Sequence, residues 1–366
     1  MTTIQDLSDY LETLAPLSYQ EAYDNAGLLV GDPQAGVRGV LVSLDCTEAV
    51  IAEAIANDCN VVLAHHPIVF KGLKRLTGKN YVERAVILAI KHDVALYAIH
   101  TNLDSVRGGV NWKIAERLGL RDVRVLVPKR QVLLKLVAFV PLEATQRVLD
   151  ALYAAGAGQI GDYKNCSFRT EGTGTFRPTG GANPTVGAVG RDEEVPEHRV
   201  EIVLPAPLEG RVLAALRAAH PYEEVAYYLQ RLENENQEVG AGAIGVLAQP
   251  LTEPDFLAHL KTSMQLSLIR HTALRNRMVE KVAVCGGAGS FLLGDALRQG
   301  ADAFVTADYK YHEFFDAEGR TIICDIGHYE SEVFTKDLLR DELMKKFTNF
   351  AVKLSETPTN PVNYYV

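Results

Sequence analysis

Residues 60–67 read NVVLAHHP: four apolar residues after an asparagine, then two adjacent histidines and a proline. A run of this kind is a short buried strand whose pairing stops at Pro67, because proline has no N–H to give a ladder. The same grammar extends outward on both sides. Residues 37–44 read as a buried strand and 47–57 as a helix. Residues 81–91 read as a helix, 94–99 as a third strand, and a helix is expected at 110–118. Upstream, Thr2 and Gln5 have the spacing of a capping box, and Ile4, Leu7, Leu11 and Leu14 recur at helical intervals until Pro16. Strands alternating with helices imply an α/β fold, with parallel strands covered on both faces.

The pattern changes near Val127. Residues 132–140 read as a strand, 143–155 as an Ala-rich helix, and GTGTFRPTGGANPTVGAVG (172–190) as a long hairpin or loop. A strand at 199–204, a helix at 208–219 and a strand at 225–232 complete the order β-α-β-β-α-β, which suggests a ferredoxin-like α+β insert over roughly 128–240. Alternation resumes at 242–247. Strands follow at 281–285, 303–306 and 321–326, and one long helix is expected from Tyr329 to about Phe347. Two βα-layered outer segments, 1–127 and 241–366, would thus form one core around the insert.

Composition narrows the function classes. The chain has 366 residues, 47% hydrophobic and 23% charged, with a formal net charge of −9. That length favours two domains. The negative balance argues against a nucleic-acid binder, although Lys71, Lys74 and Arg75 form a small basic cluster. Five cysteines without a C-x-x-C pair point to free thiols in a reducing compartment. MTTIQDLSDYLETL has acidic residues and no apolar stretch of a leader, and no run approaches the ~20 apolar residues of a membrane span. A soluble cytoplasmic protein is the expectation.

Ligands of open α/β sheets gather at the carboxyl ends of strands. His65 and His66 stand at one such end, His100 and Asp104 at a second, and Asp45 at a third. Adjacent histidines on a regular strand face opposite ways, so either the strand has already ended at Pro67 or each serves a different ion. The rival reading is one surface and one core histidine. His328 and Glu332 lie four apart at the start of a helix after the strand TIICDI, on one helical face. Glu330 and Glu332 also fit as plain helix-dipole partners. His312, after the strand AFVT, is a candidate for a place in or beside the site. GGAGS (286–290) reads as an ordinary strand-to-helix turn, and Asp45 and Thr47 fit as helix caps. His92, His198, His259 and His271 have no such placement.

Six motifs then carry a resemblance: DNAGLLVGD (24–32), AHHPIVFKGLKRL (64–76), HTNLD (100–104), VCGGAGS (284–290), TADYKYH (306–312) and DIGHYESE (325–332). Together they make the chain similar to the NIF-three-like family, also called GTP cyclohydrolase I type 2 homologues. HPYEEVAY (220–227) resembles the longer members, which carry a central PII/CutA-like insert. The resemblance implies a site for two divalent metal ions per chain (Zn, Fe, Mn, Co or Ni) held by His65, His66, Asp104, His328 and Glu332, and a homohexamer. Five N/O donors exceed the three that one catalytic metal needs, which favours a pair of ions bridged by Glu332 and a water. His100 and His312 are then the candidates for moving protons.

Three function classes compete. The first is a metal-dependent hydrolase acting on a nucleotide or related phosphate-bearing small molecule, with GTP cyclohydrolase-type ring opening as its sharpest form. The second is a non-catalytic metal-handling or metal-sensing protein with a regulatory insert. A scaffold with structural metals is a third. Open coordination with turnover favours the first, reversible metal transfer without turnover the second, and closed coordination with metal-dependent folding the third.

Overall fold

The computed structural model describes residues 1–365. The strands in chain order are β1 Gly27–Val30, β2 Gly39–Ser43, β3 Val61–Ala64, β4 Ala95–Ala98, β5 Arg121–Lys129, β6 Leu133–Pro141, β7 Ser167–Phe176, β8 Glu193–Pro205, β9 Tyr227–Leu232, β10 Asn236–Thr252, β11 Arg270–His271, β12 Met278–Ala288, β13 Ala303–Ala307, β14 Ile322–Asp325 and β15 Ala351–Leu354. They form three sheets in a mixed α/β architecture. The chain divides into two compact units, one of Met1–Val127 with Glu238–Val366, the other Pro128–Gln237.

The first unit holds two sheets. One has the order β1-β4-β3-β2-β15, parallel except for β1. Its central strands are fully buried, as continuous runs such as VVLA and GVLVS require of a sheet covered on both faces. The other has the order β11-β14-β13-β12-β10-β5, with β12, β13 and β14 parallel. Ile244, Ala283, Phe304 and Ile323 pack there with Leu293 and Ala296.

Three local readings change. The capping box is Thr3–Asp6, not Thr2–Gln5: the Thr3 hydroxyl accepts from the Asp6 N–H, and the Asp6 carboxylate accepts from the Thr3 N–H. Ile4 and Gln5 N–H groups donate to Ala35 and Pro33 carbonyls, so tertiary bonds set the helix start. The expected helix 329–347 is two helices, His328–Glu332 and Thr335–Lys346. Between them Phe334 lies under the Arg117 guanidinium, 4.0 Å from the ring centroid. Strand β5 was not anticipated. It carries Arg121, Asp122, Arg124 and Pro128, which an edge strand tolerates and a central one would not.

The second unit is one antiparallel sheet, β7-β8-β6-β9, with helices Thr145–Ala154 and Glu209–Ala219. Leu134, Leu136, Ala138 and Val140 alternate inward from β6 and meet Val200, Ile202 and Leu204 of β8, with Val148, Leu152, Val212 and Leu216 of the helices. The Gly/Thr-rich stretch forms the end of β7 and its connection to β8, so it is a hairpin. Among the described residues, no helix is long and apolar enough to cross a membrane. All five cysteines are free thiols, and only Cys166 is not buried.

Candidate metal centre

The carboxyl ends of parallel strands in the first unit converge on one group of side chains. β3 delivers His65 and His66, β4 delivers His100 and Asp104, and β14 delivers His328 and Glu332. His65 and His66 N–H groups still pair with the carbonyls of Ser43 and Leu44, but the regular strand ends at Ala64. That break lets both rings turn to the same side, their centroids 4.9 Å apart. Three overlapping groups could each hold a metal ion: His65, His66 and His100; His66, His328 and Glu332; and His65, Asp104 and Glu332.

Every imidazole in the group is fixed through Nδ1. His65 Nδ1 lies 2.7 Å from the Ile99 carbonyl oxygen, which only an Nδ1–H can satisfy. His66 Nδ1 lies 2.8 Å from Asp45, His100 Nδ1 2.7 Å from Asp24, and His328 Nδ1 2.7 Å from Asp308. Backbone and carboxylate partners at one nitrogen set the tautomer and orient the other nitrogen; histidines that ligate metals are held in this way. Glu332 sits at the centre, 3.0 Å from His66 Nε2, 3.1 Å from His328 Nε2 and 3.9 Å from His65 Nε2.

Within this group two buried polar atoms have no hydrogen-bond partner, His65 Nε2 and Asp104 Oδ1. They face each other at 3.6 Å. Orphaned polar atoms in a protein interior are costly, and here both are atoms that a cation satisfies. The electrostatics agree. Burial and the Glu332 charge push the Asp104 carboxyl well above its ordinary range. Burial would raise Glu332 too, but the imidazoles of His328, His65 and His66 around it prevail and hold it well below. Burial keeps His65 neutral. His66 is raised to about 10, its burial outweighed by Asp45 and Glu332, and His328 to about 9. Donors of N and O type fit a divalent first-row transition metal. Burial, with Asp104 nearby, raises the Cys285 thiol, so it stays protonated beside them.

A cavity of about 710 Å³ opens on this group. His66, His100, Asp104, His328 and Glu332 line it, with Tyr23, Phe70 and Phe291. The Tyr23 and Phe70 rings stack at 6.1 Å. The turn after β12 is more than a connection: a Cβ on Gly287 would lie 2.6 Å from Glu332 Oε1, so glycine is needed for the backbone to pass the carboxylate. The three candidates past strand ends, His65, His66 and Asp104, are brought together with the helix pair His328 and Glu332, and so is His100. His312 is not. It stands exposed in the turn Tyr311–Ala317, 5.1 Å from the Tyr311 ring, and does not line the cavity. Glu330 accepts from Asn360 and does not join the group. Asp24 and Asp308 have no role in the sequence reading, and Asp45 reads there as a strand-end residue or a helix cap; each holds an imidazole. Asp24 lies inside a quoted motif and Asp45 at a strand end, but no spacing rule shows which imidazole a distant carboxylate will meet.

Comparison with known proteins agrees with this architecture. The family model for Duf34/NIF3 (NGG1p interacting factor 3) matches residues 2–361. Proteins named "GTP cyclohydrolase 1 type 2 homolog" from Bacillus subtilis and Halalkalibacterium halodurans are 38% and 39% identical, over 98% of this chain and of each relative. A crystal structure of a Bacillus cereus protein related to NIF3 superposes with a TM-score of 0.87 at 37% identity, covering 100% of this chain and 99% of that one. A Staphylococcus aureus protein does so at 0.78 and 30%, again over 100% and 99%. The chain belongs to the Duf34/NIF3 family.

Proposed function

We propose that this protein is a dinuclear metal-dependent hydrolase of a nucleotide or related phosphate-bearing small molecule, with His65, His66, Asp104, His328 and Glu332 as the metal ligands. The observation that carries the reading is the set of imidazoles locked at Nδ1 around two orphaned donors, His65 Nε2 and Asp104 Oδ1. Side chains do not converge on unsatisfied buried atoms unless something else satisfies them. Divalent ions held there would supply Lewis acidity and positive charge, which the cavity lining lacks, since it contains no Lys or Arg.

The chain's own residues supply the rest. Tyr23 and Phe70, stacked at the cavity, offer a flat apolar face to a heteroaromatic ring. His100 is held by Asp24, whose carboxylate also accepts from Thr101. Its other ring nitrogen is free to take or give a proton at a substrate in the cavity. No role is assigned to His312. GTP ring opening is the narrowest form of the proposal and rests on the relatives' name. The second unit, with its β-α-β-β-α-β order and strand order β7-β8-β6-β9, is read as a ferredoxin-like insert. A homohexameric assembly is part of the same family-based reading.

The test has two parts. Metal analysis of the purified protein should find about two transition-metal ions per chain, and His66→Ala should lose at least one. A nucleotide hydrolysis screen with the metal restored should then find turnover that His66→Ala lacks. Metal retained by both His66→Ala and His328→Ala overturns the ligand set. Full loading without turnover, with transfer of the ion to an apo-protein, supports the metal-handling alternative instead.

A further inference from the structure

The second unit contains a cavity of about 540 Å³, within the range of small-molecule sites. Its walls include the rings of Phe139, Phe176, Tyr222 and Tyr228. Phe139 and Tyr228 meet edge to face at 5.8 Å, and Phe176 and Tyr222 are tilted at 6.0 Å. Among these aromatics lies the carboxylate of Glu197, on β8, only 6% exposed. A buried carboxylate ordinarily has a cationic partner, because an unpaired charge in the interior is costly. Here the cation two positions along the same strand is committed elsewhere: Arg199 pairs with Glu201. Arg177, which lines the cavity, is paired with Asp192.

Two details describe the carboxylate's surroundings. On β7, an ideal Cβ at Gly174 would lie 2.2 Å from Glu197 Oε2, so the carboxylate lies against the bare backbone there and a larger residue would displace it. The Tyr222 hydroxyl, buried beside it, has no hydrogen-bond partner in good geometry. Burial and the Glu197 charge both push that hydroxyl's ionisation up, so it stays a neutral donor and acceptor. The remaining charged residues of the lining, Glu223 and Glu224, are also acidic. No cluster that could hold a metal ion occurs here among the described residues; the three such groups all lie in the first unit.

We propose that this cavity binds a small organic cation, an ammonium or amidinium carried on an apolar or aromatic body. Glu197 supplies the counter-charge, the Tyr222 oxygen accepts a second N–H, and the aromatic rings cover the body and the cation's face. The proposal does not rest on the metal-centre reading. It gives a ligand to the motif HPYEEVAY, which the metal centre does not use.

Calorimetric titration of the full-length chain tests it with two cations, benzamidine and phenethylamine, against their neutral counterparts, benzamide and phenethyl alcohol. At least one cation should bind saturably, about tenfold or more tighter than its neutral counterpart. In Glu197→Gln the cation's affinity should fall by about tenfold, to the level of the neutral compound, and in Tyr222→Phe by a few-fold. His66→Ala should bind the cation as wild type does. Equal affinity for cation and neutral compound, no saturable binding by either cation, or unchanged binding in Glu197→Gln overturns the proposal. So does loss of binding in His66→Ala, which would place the cation in the other cavity. Should Glu197→Gln fail to fold, the cation-to-neutral ratio in the wild-type protein decides alone.

Discussion

His65 in the first unit and His220 in the second are both buried, and they are buried for different reasons. His220 donates through Nε2 to the Phe139 carbonyl and accepts at Nδ1 from the Tyr222 N–H, so both nitrogens are satisfied. His65 is satisfied at Nδ1 alone, and its Nε2 faces Asp104 and Glu332 without a hydrogen bond. The first arrangement is complete as folded. The second leaves a nitrogen open toward two carboxylates, where a metal ion could bind. Burial therefore says little about whether a histidine is a ligand; the state of its second nitrogen says most of it.

The largest effect expected from this contrast is at Glu332. Glu332→Gln takes a negative charge from the point where His65, His66 and His328 meet and leaves a poorer donor. Metal affinity should fall by more than the roughly 10–100-fold that follows loss of groups that merely orient ligands. Glu330→Gln, which touches Asn360 instead, should leave metal affinity near that of wild type. Equal affinity in the two variants, measured by competition with a chelator, would return Glu332 to the role of a helix-dipole partner.

His220→Ala probes the other side. It strands the Phe139 carbonyl and the Tyr222 N–H, each a loss of about 1–3 kcal/mol when buried. Denaturant unfolding should show a loss of a few kcal/mol, with metal content unchanged. A drop in metal content would break the contrast between the two histidines.

A third variant works on His100's support. The Asp24 side chain is fully buried, and burial alone would raise its pKa; hydrogen bonds from His100 and Thr101 overcome this and lower it to about 2. A carboxylate depressed in the folded state stabilises at pH values above its unfolded pKa near 3.9 and ceases to as pH falls through about 2. Asp24→Asn should accordingly cost about 2 kcal/mol at neutral pH. The gap to wild type should close progressively between about pH 4 and pH 2. A pH-independent gap over that range would show that the charge contributes nothing.

The smallest expected effect is a null one. β5 and β10 are neighbours in one sheet, so the chain leaves and re-enters the first unit at adjacent strands. Replacing 128–237 with a short flexible linker should leave a folded core with the metal content of wild type, because such units have their own cores. A metal-free product across several linker lengths would show that the centre depends on the second unit.

Much of this was readable along the chain. Apolar runs such as VVLA and GVLVS, ended by His-His-Pro and by polar turns, specify buried parallel strands, because a strand covered on both faces has no room for alternation. The polar residues just past those runs, His65, His66, Asp104, His328 and Glu332, must then lie at the sheets' carboxyl edges. The inward alternation of Leu134, Leu136, Ala138 and Val140 likewise marks one face of a sheet. The misses have a common cause. Edge strand β5 is obscured by Arg121, Asp122, Arg124 and Pro128, which its edge position in the sheet tolerates, and the cap moved to Thr3 because bonds to Pro33 and Ala35 set the helix start; in both cases the tertiary setting decides.

Tertiary structure alone decided which side chains meet. His312 stands after a strand much as His100 does, yet it projects away beside Tyr311 while His100 faces the cavity. Asp24, Asp45 and Asp308 became partners of His100, His66 and His328 across 76, 21 and 20 residues of chain. Local sequence fixes the period of apolar residues, and so the elements, because side-chain direction follows from backbone geometry within a few residues. The pairing of a carboxylate with an imidazole depends on distances set by the packing of whole sheets, and no local period carries that information.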